Sequence, residues 1–194
     1  MELRLRKIEN SVLKKPTDWP KPSVCIVDVK AEIQSLNVKS MKFSGDIAKF
    51  FINQLNYLIG HYTEVHYVFD RYDTKRDLKA QERAQRYNKH ICDYDITASR
   101  PIPEWNKIVS SDVNKQKLIL FLCTYIEKNF KFPLEEQSNE KNIYLAGGYD
   151  SRYVTKRITI SGSQEVYALF SNHVEADSRI ISHVHYVAKQ NPNT

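Results

Sequence analysis

Apolar positions along the chain change rhythm several times, and each rhythm predicts a different element. Val24-Cys25-Ile26-Val27-Asp28-Val29 is a short continuous apolar run of β-branched character broken by one acid, the pattern of a strand covered on both faces. Over residues 44–59, Ile47, Phe50, Phe51, Leu55, Leu58 and Ile59 recur at helical spacing, with Ser44 as the expected N-cap and Gly60 as the stop. Val65-His66-Tyr67-Val68-Phe69 reads as a second strand ending at Asp70, so the series strand, helix, strand predicts a parallel crossover unit. Residues 75–90 are dominated by charge and read as an exposed helix or ordered loop. Residues 111–130 predict a helix whose buried side is Val113, Leu118, Leu120, Phe121, Leu122, Tyr125 and Ile126. After it the period shortens. Residues 142–146 and 153–160 predict a hairpin turning through Gly147-Gly148-Tyr149-Asp150, residues 165–170 a further strand, and residues 174–189 a last helix with Ile180, Ile181, Val184 and Val187 inward. The expected fold is therefore α/β, with a mainly parallel central sheet flanked by helices.

Composition narrows the class. Residues 1–23 are charged and carry Pro16, Pro20 and Pro22, which predicts an extended basic arm before a single domain over 24–194. The 29 Lys and Arg exceed the 23 Asp and Glu by six, which makes a polyanionic partner plausible, although solubility explains many such surfaces. Cys25, Cys92 and Cys123 are far apart, with no CxxC pair and no histidine spacing suited to zinc, so a reducing, intracellular setting is expected, cytoplasmic or nuclear. No apolar run approaches the roughly 18 residues of a membrane span, and no membrane partner is expected.

Chemistry concentrates in acids. Asp28 and Asp70 close the two predicted parallel strands, and the pair Glu175 and Asp177 opens the last predicted helix. Gathered at the carboxyl edge of a sheet, these carboxylates suit one or two hard cations, Mg²⁺ or Mn²⁺, which take oxygen ligands and activate water for phosphodiester hydrolysis. Left without a cation they repel, so at least one carboxyl pKa should rise. Each acid also has a plainer reading: Asp28 as a cap on the loop that follows, and Glu175 and Asp177 as complements to a helix dipole. Asp73 reads as a surface partner for Arg76. Lys75, Arg76, Arg83 and Arg86 are either a solvated helix face or phosphate contacts. His183 and His185 cannot share a helix face and are set aside as joint metal ligands.

Three segments taken in order resemble the PIN-like and flap-endonuclease-like metal-dependent nucleases. Ile26-Val27-Asp28-Val29 is similar to the family's first strand, Tyr67-Val68-Phe69-Asp70 followed by Lys75, Arg76, Arg83 and Arg86 to its second acidic strand and basic stretch. Ser171-Asn172-His173-Val174-Glu175-Ala176-Asp177-Ser178-Arg179 resembles the Glu-Ala-Asp-Thr-Arg motif of transposon-associated PIN-like proteins, with Ser178 in place of Thr. The resemblance implies a three-layer PIN-like fold with Asp28, Asp70, Glu175 and Asp177 as metal-ligating catalytic acids. It also implies that Lys75, Arg76, Arg83 and Arg86 bind the phosphates of a DNA or RNA substrate. The family's next strand, ending in an Asp-x-Asp element, is not reached before Thr194. Three expectations follow: a nuclease, a degenerate domain that binds nucleic acid or protein without cleaving, or a scaffold pairing with a second copy or another protein through an exposed sheet edge.

Overall fold

The computed structural model describes residues 24–72, 93–133, 141–149 and 154–190. The basic arm over 1–23 and the charged stretch over 75–90 lie outside the described residues.

A five-stranded sheet runs in sequence order: β1 (Val24–Asp28), β2 (Glu64–Val68), β3 (Asn142–Ala146), β4 (Thr155–Thr159) and β5 (Gly162–Glu165). β1, β2 and β3 are parallel, in a register that sets Asp28 beside Val68 and Val68 beside Ala146. β4 and β5 then pair antiparallel. The sheet is thus mixed, with two parallel and two antiparallel pairings, which corrects the expectation of a mainly parallel one. The reason is local: the connections after β3 and β4 are too short for the crossover a parallel pairing needs.

Helices α1 (Val29–Ser35), α2 (Ser44–Ile59), α3 (Trp105–Val109), α4 (Asp112–Asn129) and α5 (Ala176–Gln190) cover the two faces unequally. Strand side chains alternate between faces. Cys25, Val27, Val65, Tyr67, Ile143 and Leu145 enter the larger core with Ile33 of α1, Phe51 and Leu55 of α2, Ile108 of α3, and Leu118, Leu122 and Ile126 of α4. Val24, Ile26 and Val68 point the other way, against Ala176 and Val187 of α5.

The predicted β1, α2, β2 unit and the helix over 111–130 are present close to the expected bounds. Ser44 is not the cap of α2 but its first residue, and its N–H donates to the Arg100 carbonyl at 3.0 Å. Asp46 does the capping, its Oδ2 accepting the backbone N–H groups of Phe43 at 3.0 Å and Lys42 at 3.1 Å. Residues 166–170 do not continue a strand; Tyr167–Leu169 is a 3-10 turn, fastened by Thr155 Oγ1 donating to the Leu169 carbonyl at 3.1 Å. Ile181 does not face inward but is 68% exposed, and the buried stripe of α5 is Ala176, Arg179, His183 and Val187.

Candidate functional site

Because β1 and β2 run parallel, their last residues arrive at one edge of the sheet, and the start of α5 closes over it. Asp28 ends β1 and caps α1: its Oδ1 accepts the Lys30 N–H at 2.9 Å. The plain reading of Asp28 as a cap is therefore realised. Burial raises the Asp28 carboxyl pKa, and the charges of Asp70 and Asp177 push it further. That repulsion places the three acids within electrostatic reach of one another.

Asp70, two residues beyond β2 and only 5% exposed, is the centre of the edge. Its Oδ1 accepts the backbone N–H of Ala176 at 2.7 Å, so an acid 106 residues away caps the first turn of α5. Its Oδ2 pairs with the Lys30 ammonium at 2.7 Å and accepts the Tyr72 hydroxyl at 3.2 Å. The next residue adds a second tether, the Arg71 N–H donating to the Val174 carbonyl at 2.8 Å. Two bonds thus seat α5 at this edge and bring Asp177, in its first turn, toward Asp28. The Asp70 bond holds the Lys30 ammonium above the usual lysine range, with Asp28 and Asp177 adding to the effect. Burial raises the Tyr72 phenol, and the Asp70 charge beside it raises it more.

Arg179, the arginine of the acidic motif, is turned inward from solvent. It is 1% exposed, its Nε donates to the His173 carbonyl at 2.7 Å and its Nη2 to the Ser171 carbonyl at 3.3 Å. Burial brings its pKa down to about 10, with Arg71's like charge contributing and Asp70 opposing. The guanidinium therefore shapes the loop that presents Glu175 and Asp177. Gly147, at φ +95°, leaves it room: a Cβ there would stand 2.6 Å from the Phe69 carbonyl oxygen and 2.7 Å from Arg179 Nη1.

Of the predicted acids, Asp70 contacts Lys30 directly, and Asp28 and Asp177 are near enough for their charges to act on that lysine. Glu175 lies just before α5 with an exposed side chain, and its carbonyl accepts the Arg179 N–H at 3.4 Å. Lys75, Arg76, Arg83 and Arg86, with Asp73, lie outside the described residues. Lys30 and Tyr72, which no sequence motif singles out, are the side chains that contact Asp70; the Tyr72 contact is local, whereas the Lys30 contact joins α1 to the end of β2 and leaves no trace in spacing. Carboxylate oxygens are the donors a hard cation takes, and at this edge Asp70 is paired with the Lys30 ammonium. Among the described residues, however, no group of three or more His, Cys, Asp or Glu is arranged to hold a metal ion. Ligation by this set requires Lys30 to leave Asp70 and the two remaining acids to close in.

Compared with known proteins, the chain matches no family model, no curated protein and no solved structure. No helix among the described residues is long and apolar enough to cross a membrane.

Proposed function

We propose that the chain is a PIN-like, flap-endonuclease-like nuclease domain that hydrolyses phosphodiester bonds in DNA or RNA. The observation that carries this reading is that Asp70 pairs directly with Lys30 at the carboxyl edge of the parallel strands, while Asp28 and Asp177, from two other parts of the chain, act on the same lysine through their charges. The order of the three acidic segments, similar to that family's, supports it. Asp28, Asp70 and Asp177, with Glu175 at the rim, are the residues that would hold Mg²⁺ or Mn²⁺. Such an ion supplies an activated water and offsets charge on the attacked phosphate. The chain's own part is positional. Asp70, tied to α5 through Ala176, keeps carboxylates of β2 and α5 in one place. Lys30, freed from Asp70, carries its ammonium toward a phosphate entering the same edge. Lys75, Arg76, Arg83 and Arg86 follow Asp70 in the sequence and supply further cations for the substrate backbone.

One observation favours a second reading, a domain that binds nucleic acid and cleaves nothing: both Asp70 oxygens already have donors, and Lys30 neutralises it without a metal. Labelled single-stranded, duplex and flapped DNA and RNA, incubated with Mn²⁺ or with EDTA, separate the two. The nuclease reading expects metal-dependent cleavage that falls at least about a hundredfold in Asp70→Asn, a variant that keeps an oxygen to cap α5. Binding without cleavage, equal in Asp70→Asn and in the unsubstituted chain, sinks it in favour of the second.

A further inference from the structure

The interface between α5 and the sheet carries two imidazoles where apolar side chains would otherwise pack. His66 of β2 is fully enclosed and His183 of α5 is 1% exposed. Their Nδ1 atoms are 2.7 Å apart, with the rings nearly perpendicular. On the far side of its ring, His66 Nε2 lies 3.3 Å from the Glu64 carboxylate. Tyr144 of β3 stacks on His66 at 4.1 Å between ring centroids, and Tyr186 of α5 meets Tyr144 edge-on at 6.0 Å. This is the polar seam between the sheet and its only covering helix among the described residues on that face.

A contact between two ring nitrogens needs one proton between them, not two. Glu64 only accepts, so His66 carries its hydrogen on Nε2 and presents a bare Nδ1. His183 then donates from Nδ1. Adding a proton to His66 sets two N–H groups against each other across 2.7 Å. Adding one to His183 keeps the bond but buries a cation facing the positive Arg179 of the same helix.

We propose that the His66–His183 pair is a pH-sensitive latch, holding α5 on the sheet while both imidazoles are neutral and releasing it when they are protonated. The groups facing the pair are Glu64 from β2, Tyr144 from β3 with Arg157 of β4 bonded to it, and Arg179 and Tyr186 from α5. Burial lowers both imidazoles from the ordinary value of 6.5, Glu64 opposing at His66, and His66 and Arg179 reinforcing at His183. With lowered values in the docked state, the released state binds more protons below pH 6.5. Docking is therefore complete above that pH and weakens as pH falls beneath it, by up to about tenfold per pH unit per histidine, or about a hundredfold for two. Ala176 and Asp177 travel with α5, so releasing the helix also breaks the bond from the Ala176 amide to Asp70. The latch holds whether or not that edge cleaves anything.

The test follows urea unfolding and hydrogen exchange of the α5 amides from pH 5 to 8 on the unsubstituted chain and on His66→Phe with His183→Leu. The expected result is a stability that drops below pH 6.5 with uptake of one to two protons, flattened in the double variant. Side-chain NMR of the unsubstituted chain decides even if that variant fails to fold. It should report two neutral rings, His66 protonated at Nε2 and His183 at Nδ1, losing α5 protection as they titrate. A His66 ring charged at pH 7 with α5 still protected, or parallel pH profiles in chain and variant, overturns the proposal.

Discussion

Asp28 answers to two opposed demands. As a cap it needs only an oxygen, which asparagine supplies equally well; as a ligand it needs a charge, and that charge is disfavoured by burial and by Asp70 and Asp177. An acid whose folded pKa is raised binds its proton more readily in the native state, so stability is lost as pH rises from 3.8 through the raised value. At pH 7 the Asp28 charge therefore costs stability. Asp28→Asn should gain stability in urea unfolding at pH 7 with EDTA. A loss instead would mean that the three acids do not repel as described. Asp70 is the contrasting case: its charge is matched by Lys30, Tyr72 and the Ala176 amide, so the carboxylate is a structural strut as well as a candidate ligand.

At the scale of elements, the site depends on how β3 ends and how α5 begins. Gly147 lets the chain turn away from β3 in the left-handed region while Arg179 passes close by. Gly147→Ala meets both a strained φ and two contacts under 3.0 Å, one of them backbone, and should cost about 2–3 kcal/mol, read from the midpoint of urea unfolding. How visible each element is in sequence follows from what holds it. β1, α2 and β2 are packed by their own apolar residues, and the hydrophobic period displays them. α1 has seven residues with only Val29 and Ile33 buried, too short for a period to register. β5 is Gly162–Glu165, exposed throughout and held by pairing to β4 rather than by a buried face, whereas the apolar residues after it are drawn into a turn. In α5, Ile180, Val184 and Val187 pack against the sheet as their period predicts, Ile181 is exposed, and Arg179 and His183 are buried through polar partners that no apolar period records.

For the whole molecule, two quantities test the functional reading independently of turnover. A divalent ion that binds only the folded chain raises its unfolding temperature, by about 2.7 kcal/mol of stabilisation at a hundredfold excess over Kd, or several degrees at this chain length. Mn²⁺ should therefore raise the thermal midpoint of the unsubstituted chain reversibly with EDTA and leave Asp70→Asn unmoved. Equal shifts in both would place the ion elsewhere. The net charge of +6 bears on the partner: nucleic-acid binding should weaken steeply between 50 and 200 mM salt, on the order of tenfold or more, in a filter-binding series. Salt-independent binding would remove the electrostatic basis for a polyanionic partner.

The sequence by itself determined the α/β class, the crossover from β1 to β2, the long helices and the positions where acids close the strands. These are local matters of period, capping and turn chemistry, written within windows of a few residues. It pointed to Asp28 and Asp70 because they stand at strand ends, and to Glu175 and Asp177 because they stand at a helix start. Only the tertiary structure decided which partners those acids take. Asp70 caps a helix that begins 106 residues later, Lys30 neutralises an acid of another strand, and His183 meets His66 across 117 residues. Burial then turns such long-range meetings into shifted pKa values and buried hydrogen bonds, and no period along the chain records which distant side chain will share a proton.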